Sequence, residues 1–282
     1  MSSPRVFVVT GSNKGIGKSI VKLLLQDKEE KIVYLTSRNK EFGLNAVQEL
    51  ATLNLHAEYH QLDITDQSSI HCLRDHLLLK YGGLDVLVNN AGIAYSELSN
   101  APFSEEAEVT ITTNFLGMIS VCDSLFPILK PNARVVNLSS LAGEFAYERL
   151  SDSRKEQFRD KNLSVDGLKK LLLLFVEHAK NDTLEENGWP RSAYGMSKVG
   201  VSILTQIQQR EFDKNPELNI VVNSCHPGIV DTDMNGGRYF DMITPDEGAD
   251  TPTYLALLPV TDRLVPMGSY HKLKNVVSYP PL

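Results

Sequence analysis

Short runs of β-branched and aromatic residues alternate with longer stretches whose apolar positions recur every three or four residues, and this alternation is the chain's main structural signal. Arg5 to Thr10 predicts a first strand, with Ile16, Ile20, Leu23 and Leu24 at helical spacing behind it. Lys31 to Thr36 predicts a second strand, Lys40 to Leu53 a helix and His56 to Leu62 a third strand. Asp66 stands where it would cap the next helix, which carries Ile70, Leu73 and Leu77 on one face. Leu84 to Val88 is the fourth strand, Phe103 to Leu129 a long and mostly helical segment, and Arg134 to Leu138 the fifth strand. A helix containing Tyr194 leads to a sixth strand over Asn219 to Ser224, and the tail from Met267 supplies one more. Between those two, Thr244-Pro245-Asp246-Glu247 reads as a capping box with proline at the first helical position, opening a helix that reaches Leu258. Strands alternating with helices predict an α/β fold with a parallel sheet. Nothing divides residues 1–282 into more than one domain.

The alternation is interrupted once. Tyr194 lies 194 − 140 = 54 residues beyond Ser140 at the end of the fifth strand, whereas such connections ordinarily run ~2–6 residues. Residues 143–190 carry 10 acidic and 8 basic side chains in 48 positions, yet they are not filler. Leu168, Leu171, Leu172, Phe175, Val176 and Ala179 follow the spacing of an amphipathic helix, with Ser164 as cap, Asp166 in the first turn and Lys180 in the last. That stripe has to bury itself on something. Residues 232–258 read as a substrate loop, glycine- and aromatic-bearing over 233–243, followed by a helix.

Composition changes this picture little. Hydrophobic residues at 42% and charged ones at 22% are those of a globular protein with a core. A formal charge of −7 argues against nucleic acid or an anionic membrane as the main partner. Cys72, Cys122 and Cys225 are too few and too scattered for a disulfide framework. The first apolar run, Val6 to Val9, is shorter than the core of a secretory signal. The longest, Leu171 to Val176, is far below the ~20 residues of a membrane span. A cytoplasmic location is therefore expected. His56/His60 and His71/His76 lack cysteine partners or a compact carboxylate cluster, so no metal is expected.

The candidate chemistry sits at the ends of the strands. Gly11-Ser-Asn13-Lys14-Gly15-Ile16-Gly17 stands between a strand and a helix, where glycines let the backbone approach a diphosphate facing a helix N-terminus. At the end of the second strand, where an acidic residue would bind a ribose 2′-hydroxyl, there are small residues and Arg38. Arg38 and Lys14 suit a 2′-phosphate and point to NADP(H), the alternative being two solvated surface charges. Asp63-Ile64 closes the third strand where an adenine would lie, and Asn89-Asn90-Ala91-Gly92 follows the fourth. Tyr194 and Lys198, four apart on a helix, share one face. An ammonium ~5 Å from a phenol favours the phenolate by about two pKa units, enough to make the tyrosine a general acid at neutral pH. Alone, such a pair is equally a solvated lysine beside a half-buried tyrosine.

Thr10-Gly-x-x-x-Gly-x-Gly17, Asn89-Asn-Ala-Gly92, Asn114, Asn137-Leu-Ser-Ser140, Tyr194-x-x-x-Lys198 and Pro227-Gly228 occur in one order. This series resembles the short-chain dehydrogenase/reductase family. Tyr81-Gly-Gly-Leu-Asp-Val-Leu-Val-Asn-Asn-Ala-Gly92, Gly188-Trp-Pro and the long insertion are similar to the monomeric NADPH-dependent carbonyl reductases of animals. The resemblance implies a single Rossmann-type doubly wound domain with a seven-stranded parallel sheet and a helical insertion, reducing ketones, aldehydes and quinones with NADPH. It implies that Tyr194 protonates the carbonyl oxygen, Ser140 holds that oxygen, Lys198 lowers the phenol's pKa and binds the nicotinamide ribose, and Asn114 holds a relay water. It places Gly11, Asn13, Lys14, Gly15, Ile16, Gly17, Arg38, Asp63, Ile64, Asn90, Val230 and Thr232 on the cofactor, and Ser140, Leu141, Tyr194, Ile229 and Glu106 on the substrate. It further implies that the Leu168–Ala179 helix covers the face used for oligomerisation in relatives, leaving a monomer. His226 and Ile229 replace the reactive cysteine and tryptophan of typical vertebrate members, and Glu97, Glu105 and Glu106 make the glutathione-binding neighbourhood acidic. The alternatives are an NADP-linked hydroxysteroid or prostaglandin dehydrogenase and a non-catalytic NADPH-binding protein.

Overall fold

The computed structural model describes residues 4–96, 99–234, 241–260 and 265–279. Glu97 and residues 235–240 of the candidate substrate loop lie outside the described residues. The chain runs β1 (Arg5–Val9), α1 (Gly15–Gln26), β2 (Lys31–Ser37), α2 (Lys40–Thr52), β3 (Glu58–Gln61), α3 (Gln67–Tyr81) and β4 (Leu84–Asn89). It continues with α4 (Phe103–Ile111), a π turn (Thr112–Gly117), α5 (Met118–Leu125) and β5 (Leu129–Leu138). The remainder is α6 (Leu141–Glu148), α7 (Asp152–Arg159), α8 (Val165–Lys180), α9 (Ala193–Phe212), β6 (Val221–His226), α10 (Pro245–Ala256), β7 (Tyr270–Lys272) and β8 (Asn275–Val277).

The strands form one sheet in the order β3-β2-β1-β4-β5-β6-β7-β8. Neighbours from β3 to β7 are parallel. Each central strand is apolar on both faces, as a parallel sheet covered on both sides requires. Phe7, Val9, Val33, Leu35, Val86 and Val88 meet Ile20 and Leu24 of α1, Ala46 and Leu50 of α2 and Leu255 of α10. The alternate positions Val6, Val8, Tyr34, Leu87, Val135 and Val222 meet Ile70, Leu73 and Leu77 of α3 and Val121 and Leu125 of α5. The expected sheet of seven parallel strands is corrected at its edge, where β8 pairs antiparallel with β7. The two-residue connection Leu273-Lys274 has positive φ at both positions, 47° and 64°, as a type I′ hairpin demands. A Leu-Lys turn carries none of the Asn or Gly that ordinarily announces one.

The insertion is helical, as expected. Leu168, Leu172, Phe175, Val176 and Ala179 of α8 are buried in a cluster with Ile111 of α4, Phe115 and Val199 and Ile203 of α9, while Leu171 is only partly buried. Contact is close: a Cβ on Gly200 of α9 would lie 2.6 Å from Leu172 Cδ1 and 2.9 Å from Phe115 Cδ2. Trp189 meets Phe158 and Phe175 edge-on, and the Arg154 guanidinium lies 4.2 Å from its ring centroid. The caps fall where the sequence places them, with Ser164 accepting from Gly167 N and Asp66 from Ser68 N. Thr244 and Glu247 complete the capping box of α10, which ends at Ala256, short of Leu258. The helical stretch Phe103–Ile128 is long and apolar enough to cross a membrane by length and composition alone; most of it is buried in this core.

Candidate active site

The site lies where β1, β4, β5 and β6 end. Gly11 has φ +61°, and a Cβ there would lie 2.8 Å from Ala91 Cα. A Cβ on Gly17 would lie 2.5 Å from Asn90 Nδ2 and 2.7 Å from Gly11 O, so α1 enters close against the turn. The Asn90 side chain donates to Thr10 O and Gly11 O, both at 2.9 Å, and Thr10 Oγ1 accepts from Asn90 N and Ala91 N at 3.0 Å. Asn90 therefore holds the glycine turn from beneath. Lys14, at the N-cap position of α1, makes no side-chain cap, and no acidic residue stands in the first turn. The N–H groups of that turn are left to a ligand, and their dipole favours an anion. Asn13 and Ile16 are partly exposed beside them, and a Cβ on Gly15 would lie 3.3 Å from Thr232 Cγ2, so the loop after β6 meets this turn.

At the end of β2, Arg38 is exposed and follows Ser37, whose Oγ donates to Asn39 O at 2.6 Å. Lys14 is already engaged: its Nζ lies 2.7 Å from Asp233 Oδ2, and this bond holds the Asp233 carboxyl below its ordinary range. Sequence reasoning counted Lys14 as a free cation and missed this partner. Asp63 Oδ1 accepts from Thr65 N and Thr65 Oγ1, and Ile64 is buried with its carbonyl against Gly117.

Asn114 occupies the π turn that interrupts the long helix. Such turns recur at functional sites. Its Oδ1 accepts from Ile93 N at 2.7 Å, and its Nδ2 donates to Ile93 O and Ser197 Oγ. Both amide hydrogens are engaged, and Oδ1 keeps one lone pair. A Cβ on Gly92 would lie 3.1 Å from that oxygen and 3.9 Å from Lys198 Nζ, so the two groups converge around Gly92.

Ser140 caps α6, its Oγ accepting from Ala142 N at 3.2 Å. Lys198 is 5% exposed; its ammonium donates to Leu138 O at 2.7 Å and lies 5.5 Å from the Tyr194 ring centroid. Burial lowers Lys198 to about 8, so about nine-tenths of it is charged near pH 7. The expected lowering of the phenol is not met in the protein alone. Burial raises Tyr194 above its ordinary range, and the hydrogen bond with Ser140 pulls it only part of the way back. The ammonium is directed at a carbonyl, not at the phenol oxygen.

A profile of the short chain dehydrogenases matches residues 5–152. The chain belongs to the short-chain dehydrogenase family. It is 46% identical over 282 residues to the NADPH carbonyl reductase 3 of Mus musculus, and 44% identical over 279 residues to the NADPH carbonyl reductase 1 of Bos taurus. Each alignment covers 99% of both chains. Among solved structures, salutaridine reductase from Papaver somniferum superposes with a TM-score of 0.82 at 30% identity, covering 95% of this chain and 99% of that one.

Around this short-chain dehydrogenase centre the remaining candidates are unevenly placed. Val230 is buried and bridges to Ile243, and Ile229 is 39% exposed. Leu141 opens α6, its N–H donating to His226 Nδ1 at 3.3 Å, and Gly228 N donates to the same nitrogen at 3.4 Å. Burial and the Lys272 ammonium push His226 down to about 4, with Glu144 pulling the other way. Glu144 in turn accepts from Tyr270 Oη and Lys272 Nζ at 2.7 and 2.6 Å. Sequence reasoning treated His226 only as a replacement; its spacing carried no sign of these bonds. Glu106, in the first turn of α4, is partly buried and raised by burial, with Arg191 opposing. Arg191 is the charged group that opposes this rise. Two surface hollows of about 280 and 540 Å³ flank α8 and include none of the candidate site residues.

Proposed function

We propose that this chain reduces ketones, aldehydes and quinones to alcohols with NADPH. The observation that carries the reading is Tyr194 hydrogen-bonded to Ser140, with the Lys198 ammonium buried beside its ring, at the strand ends next to an uncapped helix N-terminus. NADPH, when bound, supplies the hydride that reaches the carbonyl carbon. Tyr194 donates its phenolic proton to the carbonyl oxygen as negative charge develops there. Ser140, held by the cap to Ala142, turns its hydroxyl hydrogen from the Tyr194 oxygen to the same carbonyl oxygen. Lys198 offers positive charge to the phenolate left behind, and the free lone pair of Asn114 Oδ1 is the place for a water that returns a proton toward Lys198. Arg38 supports NADPH over NADH, since no carboxylate occupies the end of β2 to bind a 2′-hydroxyl. The names of the relatives support the same cofactor and reaction.

An NADPH-oxidation assay across quinones, aldehydes, steroids and diketones tests this reading. Tyr194→Phe should abolish turnover while NADPH binding survives. Undiminished turnover in that variant would remove Tyr194 from the chemistry.

The exposed neighbourhood of Glu105 disfavours anionic glutathione conjugates as substrates. The chain is read as a monomer because α8 covers the face formed by α4 and α9. A stable dimer or tetramer by mass measurement at micromolar concentration would refute that. A cytoplasmic setting fits three free cysteines, two of them buried.

A further inference from the structure

We propose that His226 is a positioning residue, a neutral imidazole that ties the Ser140 turn to the Pro227-Gly228 turn. The inference rests on the role given to Ser140 above. Backbone pairing between β5 and β6 runs from Arg134↔Val221 to Leu138↔Cys225 and ends with Ser139 N donating to Cys225 O at 2.8 Å. Beyond that point no ladder bond holds the two strand ends together. Ser140 begins α6 on one side, and the loop toward Val230 and Thr232 begins on the other. His226, the first residue past the last pair, bridges the gap with its side chain.

The donors that Nδ1 collects have no other obvious partner. The first N–H groups of a helix lack intrahelical acceptors. In α6, Ser140 Oγ serves Ala142 N, while Leu141 N–H goes to His226 Nδ1. The same nitrogen accepts from Gly228 N–H. An imidazole nitrogen that accepts is unprotonated, so the ring proton sits on Nε2. Burial and the charge of Lys272 keep the ring neutral well below neutral pH, against the pull of Glu144. Without this acceptor, Leu141 N–H is a free donor next to Ser140, and the serine turn loses its link to the loop that lies against Gly15 of the cofactor turn. Loss of His226 should therefore act on turnover with a carbonyl substrate more than on NADPH affinity.

The experiment compares His226→Asn, His226→Gln and His226→Ala. An asparagine places an acceptor close to the position of Nδ1; a glutamine places its amide near Nε2, one bond farther out. With nitrobenzaldehyde and NADPH, kcat should fall about tenfold or more in the Ala and Gln variants, the scale of one lost positioning bond. KM for NADPH should stay within about twofold, and Asn should restore most of kcat. Amide hydrogen exchange at Leu141 and Gly228 in the cofactor-free proteins should be slow in wild type and Asn and fast in Gln and Ala. Equal behaviour of Asn and Gln in both measurements, or a change confined to NADPH KM, would overturn the proposal. The exchange measurement needs no turnover, so it scores His226 even if wild type fails to reduce the aldehyde, a failure that would count against the reductase reading alone. The Asn and Gln pair keeps the test valid if the Ala variant does not fold.

Discussion

Lys198→Met should make the cofactor-free protein more stable while removing its activity. The ammonium is 5% exposed, its hydrogen bond goes to the Leu138 carbonyl, and it sits near 8 against an ordinary 10.5, with burial as the main cause. A folded-state value below the unfolded one means that the unfolded chain binds the proton more tightly. The charge therefore opposes folding fully below about pH 8, progressively less up to about 10.5, and not at all above that. The gap corresponds to ~3 kcal/mol near pH 7, falling to ~1.4 kcal/mol near pH 9.5. Methionine forfeits the charged hydrogen bond to Leu138 O, ~1.5 kcal/mol. The variant should thus gain ~1.5 kcal/mol in urea unfolding near pH 7, and the gain should nearly vanish near pH 9.5. A variant less stable than wild type at neutral pH, or a difference that does not shrink with rising pH, would refute the reasoning.

Three further outcomes are expected. Asp233→Asn frees Lys14 for a 2′-phosphate, so NADPH should bind a few-fold more tightly in a fluorescence titration while NADH is unaffected. Arg38→Asp should move the kcat/KM ratio toward NADH, and an unchanged ratio would show that Arg38 does not read the phosphate. Arg134 is 1% exposed and donates to the carbonyls of Asn132, Ala133, Asn219, Leu258 and Pro259, joining the starts of β5 and β6 to the end of α10. Arg134→Met should therefore lower stability by ~3 kcal/mol or more in urea unfolding, because several buried acceptors lose a charged donor.

Much of the fold was legible because parallel strands buried on both faces read as short apolar runs, and Val6 to Val9 or Val86 to Val88 could face nothing but helices on either side. The glycine turn was legible because strand, tight turn and helix succeed one another without a spare residue. What escaped was local geometry without a sequence mark. The β7–β8 turn uses Leu273 and Lys274 against their preference, and the pairing of Tyr270 with Val277 makes it worthwhile only in context. The π turn at Asn114 leaves the apolar spacing of the surrounding helix almost intact, so periodicity could not reveal it. The ion pair of Lys14 with Asp233 spans 219 positions, and no pattern joins such distant charges. Tyr194 shows a subtler gap. Its neighbour Lys198 was correctly placed on the same face, but the sequence holds no record of how dry the phenol is, and burial outweighs the attraction counted from spacing.

The order of the sheet has a bearing on how the chain is made. β2 and then β3 lie outward from one edge of β1, and β4, β5, β6, β7 and β8 lie outward in turn from the other. Each strand emerging from a ribosome can therefore join an edge that is still open, and no earlier pair has to part to admit a later one. The half that carries the glycine turn is complete early in synthesis. The β7–β8 hairpin brings Tyr270 and Lys272 to Glu144 in the helix that Ser140 begins, so the turn that carries Ser140 is braced by residues made after the rest of the sheet. A nascent chain stalled before that hairpin should already recognise dinucleotide while still lacking a finished place for the molecule to be reduced.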